Sequence, residues 1–239
     1  MRLDIYLTEN KLAPTRNIAK NLIELGNVQV NGVCVTKPSY NVDQNSAIVI
    51  TDTYQSSLGS LKLEKAFQDF HIDVQNKTCL DLGAANGGFC AVLLAHGAKK
   101  VYALDIGKCA LSNDLIHNDK IIPIPETNAR YISASDFEDQ IDFISCDLSF
   151  ISLKLILPAA YNTLSTNGEG VFLIKPQFET DQRHIPKSGI IHDIKQRVTI
   201  NKNIQDFAQE IGFKINGITD APHPFPNKNQ EYLLYLCKK

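Results

Sequence analysis

From Thr78 onward, short apolar runs alternate with segments of helical spacing. Thr78–Leu82, Val101–Ile106, Ile121–Ile124, Ile141–Cys146 and Gly170–Ile174 read as strands covered on both faces. Between and after them, Gly88–His96, Leu153–Leu164 and Lys195–Ile211 carry helical spacing, and Ile215–Ile218 and Tyr232–Leu236 predict two closing strands. Strand and helix in alternation predict an α/β fold with a doubly wound sheet. The first fifty residues follow a different logic. Pro14 suits a first helical turn, Ile18, Ala19, Leu22 and Ile23 mark one helical face, and Gly26 is a natural stop. Val28 and Val30 alternate, Asn31-Gly32 signals a hairpin, Val33 and Val35 continue it, and Ile48 and Ile50 suggest a closing strand. A small α+β domain is therefore expected over residues 1–50. Serine, glycine and a lack of apolar period predict a linker over 51–61. Helical spacing resumes with Leu61-Lys62-Leu63 and Ala66-Phe67, so the second domain is expected over 62–239.

Composition narrows the class. A hydrophobic content of 44% suits a packed core. No apolar run approaches membrane-spanning length, and the start of the chain lacks the apolar segment of a secretory signal. Cys34, Cys79, Cys90, Cys109, Cys146 and Cys237 form no C-x-x-C pair, which predicts reduced thiols in a cytoplasmic protein and no structural zinc. With a net charge of −2, nucleic-acid binding would rest on local patches and shape. Arg16 and Lys20 stand one helical turn apart and could form such a patch.

Candidate chemistry gathers where the strands end. Asp81-Leu82-Gly83-Ala84-Ala85-Asn86-Gly87-Gly88-Phe89 reads as strand, tight turn and helix start, a geometry that lets a ligand approach bare backbone. Ala85 stands at the second glycine of the dinucleotide fingerprint, so no pyrophosphate cradle is expected. The pattern D-L-G-x-x-x-G-G-F resembles the cofactor loop of S-adenosylmethionine-dependent methyltransferases. That resemblance implies cofactor contacts at Asp81, Gly83, Ala84, Gly87, Gly88 and Phe89. Asp105 ends the next strand, where a carboxylate can accept hydrogen bonds from ribose hydroxyls; Asn128 could meet the adenine edge, and Asp147 ends the fourth strand. That strand end lacks the D/N-P-P-Y/F turn of exocyclic-amine methylation. Cys146 is expected in the core, not as a nucleophile, since strand alternation turns it away from Asp147. What remains is Lys175, ending an apolar strand before Pro176.

Two longer resemblances cover the chain. Arg2-Leu3-Asp4, Arg16, Ala19, Leu22, Ile23 and the run from Gly26 to Gly32 resemble the alpha-L RNA-binding domain, which implies RNA contact through Arg2, Arg16 and Lys20. Asp147-Leu148-Ser149-Phe150-Ile151-Ser152-Leu153, Lys175-Pro176-Gln177-Phe178-Glu179 and Asn229-Gln230-Glu231-Tyr232-Leu233 resemble the TlyA (hemolysin A) family. Its members join that RNA-binding domain to a Rossmann-like, FtsJ-like methyltransferase acting on cytidine 2′-hydroxyls of ribosomal RNA. The resemblance implies S-adenosylmethionine as cofactor, ribosomal RNA or a ribosomal subunit as partner, no metal, and a catalytic set of Lys62, Asp147, Lys175 and Glu231. In that set Lys175 is expected to meet the acceptor oxygen, with Asp147 and Glu231 orienting it and Lys62 adding positive charge. Whether Lys175 is a neutral base or a charged clamp stays open at this level. The family's S-R-G-G-L-K motif appears as Ser57-Leu58-Gly59-Ser60-Leu61-Lys62. Asn86, the Lys108–Leu111 segment and Lys228 also depart from the pattern. These departures leave a second reading, a ribosome-associated RNA-binding protein with impaired catalysis.

Overall fold

The computed structural model describes residues 1–10, 12–13, 16–24, 26–43, 45–51, 58–181, 183, 185–222 and 228–239. Two compact units divide the chain, Met1–Leu61 and Lys62–Lys239.

In the first unit, helices α1 (Leu3–Glu9) and α2 (Arg16–Glu24) pack together. Strands β1 (Val28–Val30), β2 (Val33–Cys34) and β3 (Ile48–Ile50) form an antiparallel sheet of order β2-β1-β3. Asn31 and Gly32 take φ of 52° and 79°, the left-handed pair that a two-residue hairpin requires. Leu3, Leu7, Ala19, Ile23, Val28 and Val30 fill the core. Sequence patterning did not reveal α1, because the buried Asp4 interrupts its apolar face. Pro14, expected in a first helical turn, lies outside the described residues; α2 is described from Arg16.

The linker expected over 51–61 is corrected at its end. Leu58–Leu61 are helical, the first turn of α3 (Leu58–Phe70), while residues 52–57 lie outside the described residues. The chain then runs through β4 (Thr78–Leu82), α4 (Gly88–Ala95), β5 (Lys100–Leu104), α5 (Asn113–Ile116), β6 (Ile121–Ile124) and β7 (Ile141–Cys146). It finishes with α6 (Leu157–Thr163), β8 (Leu164–Ile174), α7 (Ile194–Ile211), β9 (Phe213–Asp220) and β10 (Tyr232–Lys238). The sheet order is β6-β5-β4-β7-β8-β10-β9. Five strands are parallel; β10 runs antiparallel between β8 and β9. Strand order reverses at β4, so the ligand crevice of this topology opens beyond Leu82.

Alternating side chains sort the core onto two faces. Leu80, Leu82, Ile144, Phe172 and Leu234 pack with Ala160, Ile200 and Ile204 of α6 and α7. Cys79, Phe143, Val171, Leu173 and Leu233 pack with Leu63, Phe67 and Leu93 of α3 and α4. Cys146 is fully buried, as strand alternation predicts. Every residue of β4 is buried, as expected for a central parallel strand.

Candidate active site

Three side chains are delivered by strand ends. Asp147 follows β7, Lys175 follows β8, and Glu231 precedes β10. An antiparallel strand begins where its parallel neighbour ends, and Tyr232 accordingly pairs with Ile174. Lys62 arrives from the second turn of α3, where Leu63, Ala66 and Phe67 fix the helix on the sheet.

The four groups form one chain of contacts. Lys62 Nζ lies 2.7 Å from Glu231 Oε2 and 3.2 Å from Asp147 Oδ2. Lys175 Nζ lies 2.6 Å from Asp147 Oδ1. That last contact is a short, charge-assisted one. Side-chain exposure is 9% for Lys62 and 8% for Lys175, against about a fifth for the two acids, so the ammonium groups are largely sheltered from water. Burial pulls the Lys62 pKa down, but Asp147 and Glu231 outweigh it and the net shift is upward. Burial likewise opposes ionisation of Asp147, yet Lys62 and Lys175 prevail and hold its carboxyl below the usual range. Glu231, expected beside Lys175, is found on Lys62. It orients the helix lysine, not the strand lysine.

Sequence reasoning missed Ser149, whose Oγ accepts a hydrogen bond from Lys175 Nζ at 2.8 Å. The next residue, Phe150, reverses the chain at φ 64° and is 89% exposed, with its ring 5.0 Å from that of Phe178. A phenylalanine in the left-handed region is uncommon and strained. No local propensity signals such a turn.

The glycine loop borders this cluster. Gly83 and Gly87 have φ of 90° and 89°, and Ala85 between them 46°. A Cβ on Gly83 would lie 2.7 Å from the Asp147 carbonyl oxygen, so only glycine lets the loop pass against the end of β7. Asp147 thus touches the loop with its backbone and both lysines with its side chain. Ala85 and Asn86 are exposed at the crevice, and Gly83 and Gly88 partly so, whereas Ala84, Gly87 and Phe89 are buried. Asp105, just beyond β5, accepts the Ala85 N–H at 2.8 Å and the Gly107 N–H at 2.7 Å. Each of its oxygens keeps a further lone pair for a ribose hydroxyl. Asn128 accepts the Arg130 N–H at 3.0 Å as the cap of a single helical turn. The exposed loop and the Asp105 carboxylate beside it suit a nucleoside, whose ribose hydroxyls need an acceptor there.

Comparison with known proteins agrees with that chemistry. A family model for FtsJ-like methyltransferases matches residues 56–238, and one for the S4 domain matches 1–48. Hemolysin A of Brachyspira hyodysenteriae is 40% identical over 238 residues, covering 99% of each chain. The 16S/23S rRNA (cytidine-2′-O)-methyltransferase TlyA of Mycobacterium tuberculosis is 36% identical, covering 98% of this chain and 89% of that protein. The chain belongs to the TlyA/hemolysin A family of FtsJ-like methyltransferases. A solved structure of a candidate hemolysin from Streptococcus thermophilus has a TM-score of 0.79 at 35% identity, covering all of this chain and 88% of that one. S-adenosylmethionine is the methyl donor of this family, and the residues at the crevice fit it.

Membership of the TlyA/hemolysin A family gives the remaining expected residues a context. In the S4 unit, Arg2 and Arg16 both grip the buried Asp4, each through Nε at 2.9 Å. Arg2 above all, with Arg16, draws the Asp4 carboxyl down to about 2. The two guanidinium groups remain about half exposed, and Lys20 lies one turn beyond Arg16 on α2. Asp81 faces inward instead of toward the crevice. Its carboxylate accepts from Ser145 Oγ at 2.8 Å and from the Cys90 thiol at 3.1 Å. Burial pushes its pKa up to about 7, against the pull of those two donors. A raised carboxyl pKa contributes stability while the acid is protonated and loses it as pH rises through the folded value. Asp81→Asn is therefore expected to raise the melting temperature at pH 8 more than at pH 5. Equal shifts at the two pH values would contradict a buried neutral acid.

Proposed function

We propose that this protein transfers the methyl group of S-adenosylmethionine to the ribose 2′-hydroxyl of a cytidine in ribosomal RNA, in the cytoplasm. The observation that carries the reading is the Lys175 nitrogen, fixed by Asp147 and Ser149 alongside the glycine loop. When bound, S-adenosylmethionine supplies a sulfonium-activated methyl group.

The protein's part is to bring a ribose oxygen into line and manage its proton. A ribose hydroxyl is a very weak acid, so it needs either a base or strong stabilisation of negative charge. Asp147 and Ser149 occupy two directions around the Lys175 nitrogen, leaving another for the acceptor oxygen. A neutral Lys175 would offer its lone pair there; a charged one would offer a hydrogen to the developing alkoxide. Asp147 supports either role by lying between two ammonium groups that would otherwise repel. Glu231 completes the set by pairing with Lys62. The exposed Phe150 ring next to Ser149 supplies a stacking surface of the kind single-stranded bases use. The half-exposed arginines of the S4 unit add phosphate contacts, and the activity of the Mycobacterium relative, a cytidine-2′-O-methyltransferase, supports a cytidine 2′-hydroxyl as acceptor.

The assembled set weighs against the reading of a binding protein without catalysis. Calorimetry with S-adenosylmethionine, followed by label transfer from methyl-labelled donor to isolated small and large ribosomal subunits, tests the proposal. Heat of binding with label entering RNA is expected. No detectable cofactor binding would favour the non-catalytic reading.

A further inference from the structure

The loop after β7 and the loop after β8 are joined at four successive levels. Asp147 meets Lys175, Ser149 meets Lys175, Phe150 meets Phe178, and Ser152 meets Glu179. The reacting groups occupy the first two levels. The last level takes no part in the chemistry described above, yet it is the most completely bonded.

Glu179 closes a single helical turn, Pro176–Phe178, in which the Phe178 N–H donates to the Lys175 carbonyl at 2.8 Å. Pro176 sits in the first position, where its lack of an N–H costs nothing. The turn projects the Glu179 carboxylate across to the other loop. Its Oε2 accepts from Ser152 Oγ at 2.5 Å and its Oε1 from the Leu153 N–H at 2.8 Å. Both oxygens are thus spent on the first residues of the helical turn Leu153–Leu155, where orphan N–H groups favour a negative charge. Burial nevertheless raises the Glu179 pKa above its usual value, against the pull of the Leu153 N–H and the Ser152 hydroxyl. The group is sheltered as well as bonded.

Between this anchor and Asp147 lies the strained residue. Phe150 is held in the left-handed region, a conformation that persists only when its surroundings impose it. On one side Ser149 is tied to Lys175; on the other Ser152 and Leu153 are tied to Glu179.

We propose that Glu179 is a positioning residue that clamps the Ser149–Phe150 turn onto the Lys175 loop and so sets where the acceptor ribose lies. The inference rests on the methyltransfer reading for its kinetic consequence, but not for its structural one. Released from Glu179, the turn relaxes, Ser149 leaves Lys175, and the acceptor loses its alignment. The cofactor loop, bounded by Gly83, Asp105 and the Asp147 backbone, is untouched.

Two readouts test it. Amide hydrogen exchange of residues 148–153 in the full chain is expected to quicken at least tenfold in Glu179→Ala and to stay near wild type in Glu179→Gln. The amide of glutamine can accept from Leu153 and still bond Ser152. Turnover on ribosomal RNA is expected to fall at least tenfold in Glu179→Ala, with S-adenosylmethionine affinity within twofold of wild type and Glu179→Gln restoring most of the loss. Adding Ser149→Ala to Glu179→Ala should cost little more, since both act on one contact. Unchanged exchange in Glu179→Ala overturns the clamp, whatever the turnover. Quickened exchange with unchanged turnover overturns its role in positioning. If Glu179→Ala does not fold, Ser152→Ala, which removes one of the two bonds, decides by the same readouts. Wild-type protein that binds the donor yet methylates no RNA would instead overturn the methyltransfer reading, and the exchange arm would still decide the clamp.

Discussion

Lys175→Ala is expected to reduce methyl transfer by about 10²- to 10⁴-fold, the range removed when a positioned proton-transfer group is lost. The lysine follows β8, and its partners are the Asp147 carboxylate, which it shares with Lys62, and the Ser149 hydroxyl. Its removal leaves Asp147 paired with Lys62, so the methyltransferase unit should fold and bind the cofactor with near wild-type affinity. Lys175→Arg is no rescue, because the planar guanidinium fork cannot reproduce the position of the lysine nitrogen between Asp147 and Ser149. The check is single-turnover transfer beside cofactor calorimetry. Transfer within threefold of wild type would remove Lys175 from the chemistry.

Asp147→Asn is expected to lose both activity and stability. The carboxylate pairs with two sheltered lysines, and the amide leaves Lys175 without an acidic partner while Lys62 keeps only Glu231. Breaking a buried pair on one side costs about 3–5 kcal/mol; partial exposure of Asp147 reduces this to roughly 2–3 kcal/mol. For a unit of this size that is a fall of about 5–10 °C in melting temperature. The pH dependence follows from the two shifts in the set. Asp147 has a lowered pKa, so its contribution is present above the ordinary carboxylate value and disappears as pH falls through the folded value. Lys62 has a raised pKa, so its contribution is full below the ordinary lysine value and disappears as pH rises through the folded one. Wild type should therefore hold its advantage over Asp147→Asn across the neutral range and lose it in acid. A melting difference that persists unchanged at pH 2 would contradict the ion-pair account.

Much of the sheet was legible because parallel strands buried on both faces leave continuous apolar runs. Thr78–Leu82, Ile121–Ile124 and Ile141–Cys146 coincide with β4, β6 and β7. β8 starts at Leu164, six residues before the expected Gly170, because Ser165–Glu169 carries polar residues that patterning reads as a turn. The expected helix Leu153–Leu164 divides into a short turn and α6, with Pro158 at the start of the latter. The expected catalytic set came from resemblance, since no periodicity links residues 62, 147, 175 and 231. Its internal wiring was not legible. Glu231 reaches Lys62 because of where β10 and α3 lie, and Ser149 reaches Lys175 because Phe150 turns the chain against its own preference. Asp81 illustrates the opposite error. A motif residue at a strand end suggests a ligand contact, but strand alternation turned its carboxylate into the core beside Cys90 and Ser145.

The proposed role of the Lys62–Asp147–Lys175–Glu231 set is methylation of a ribose oxygen of ribosomal RNA. Nucleoside digestion of ribosomal RNA from cells carrying wild-type or Lys175→Ala protein tests it most directly. The expected result is 2′-O-methylcytidine at a defined position in the first RNA and its loss from the second. A methyl group found on a base, or 2′-O-methylation equal in both, would contradict it.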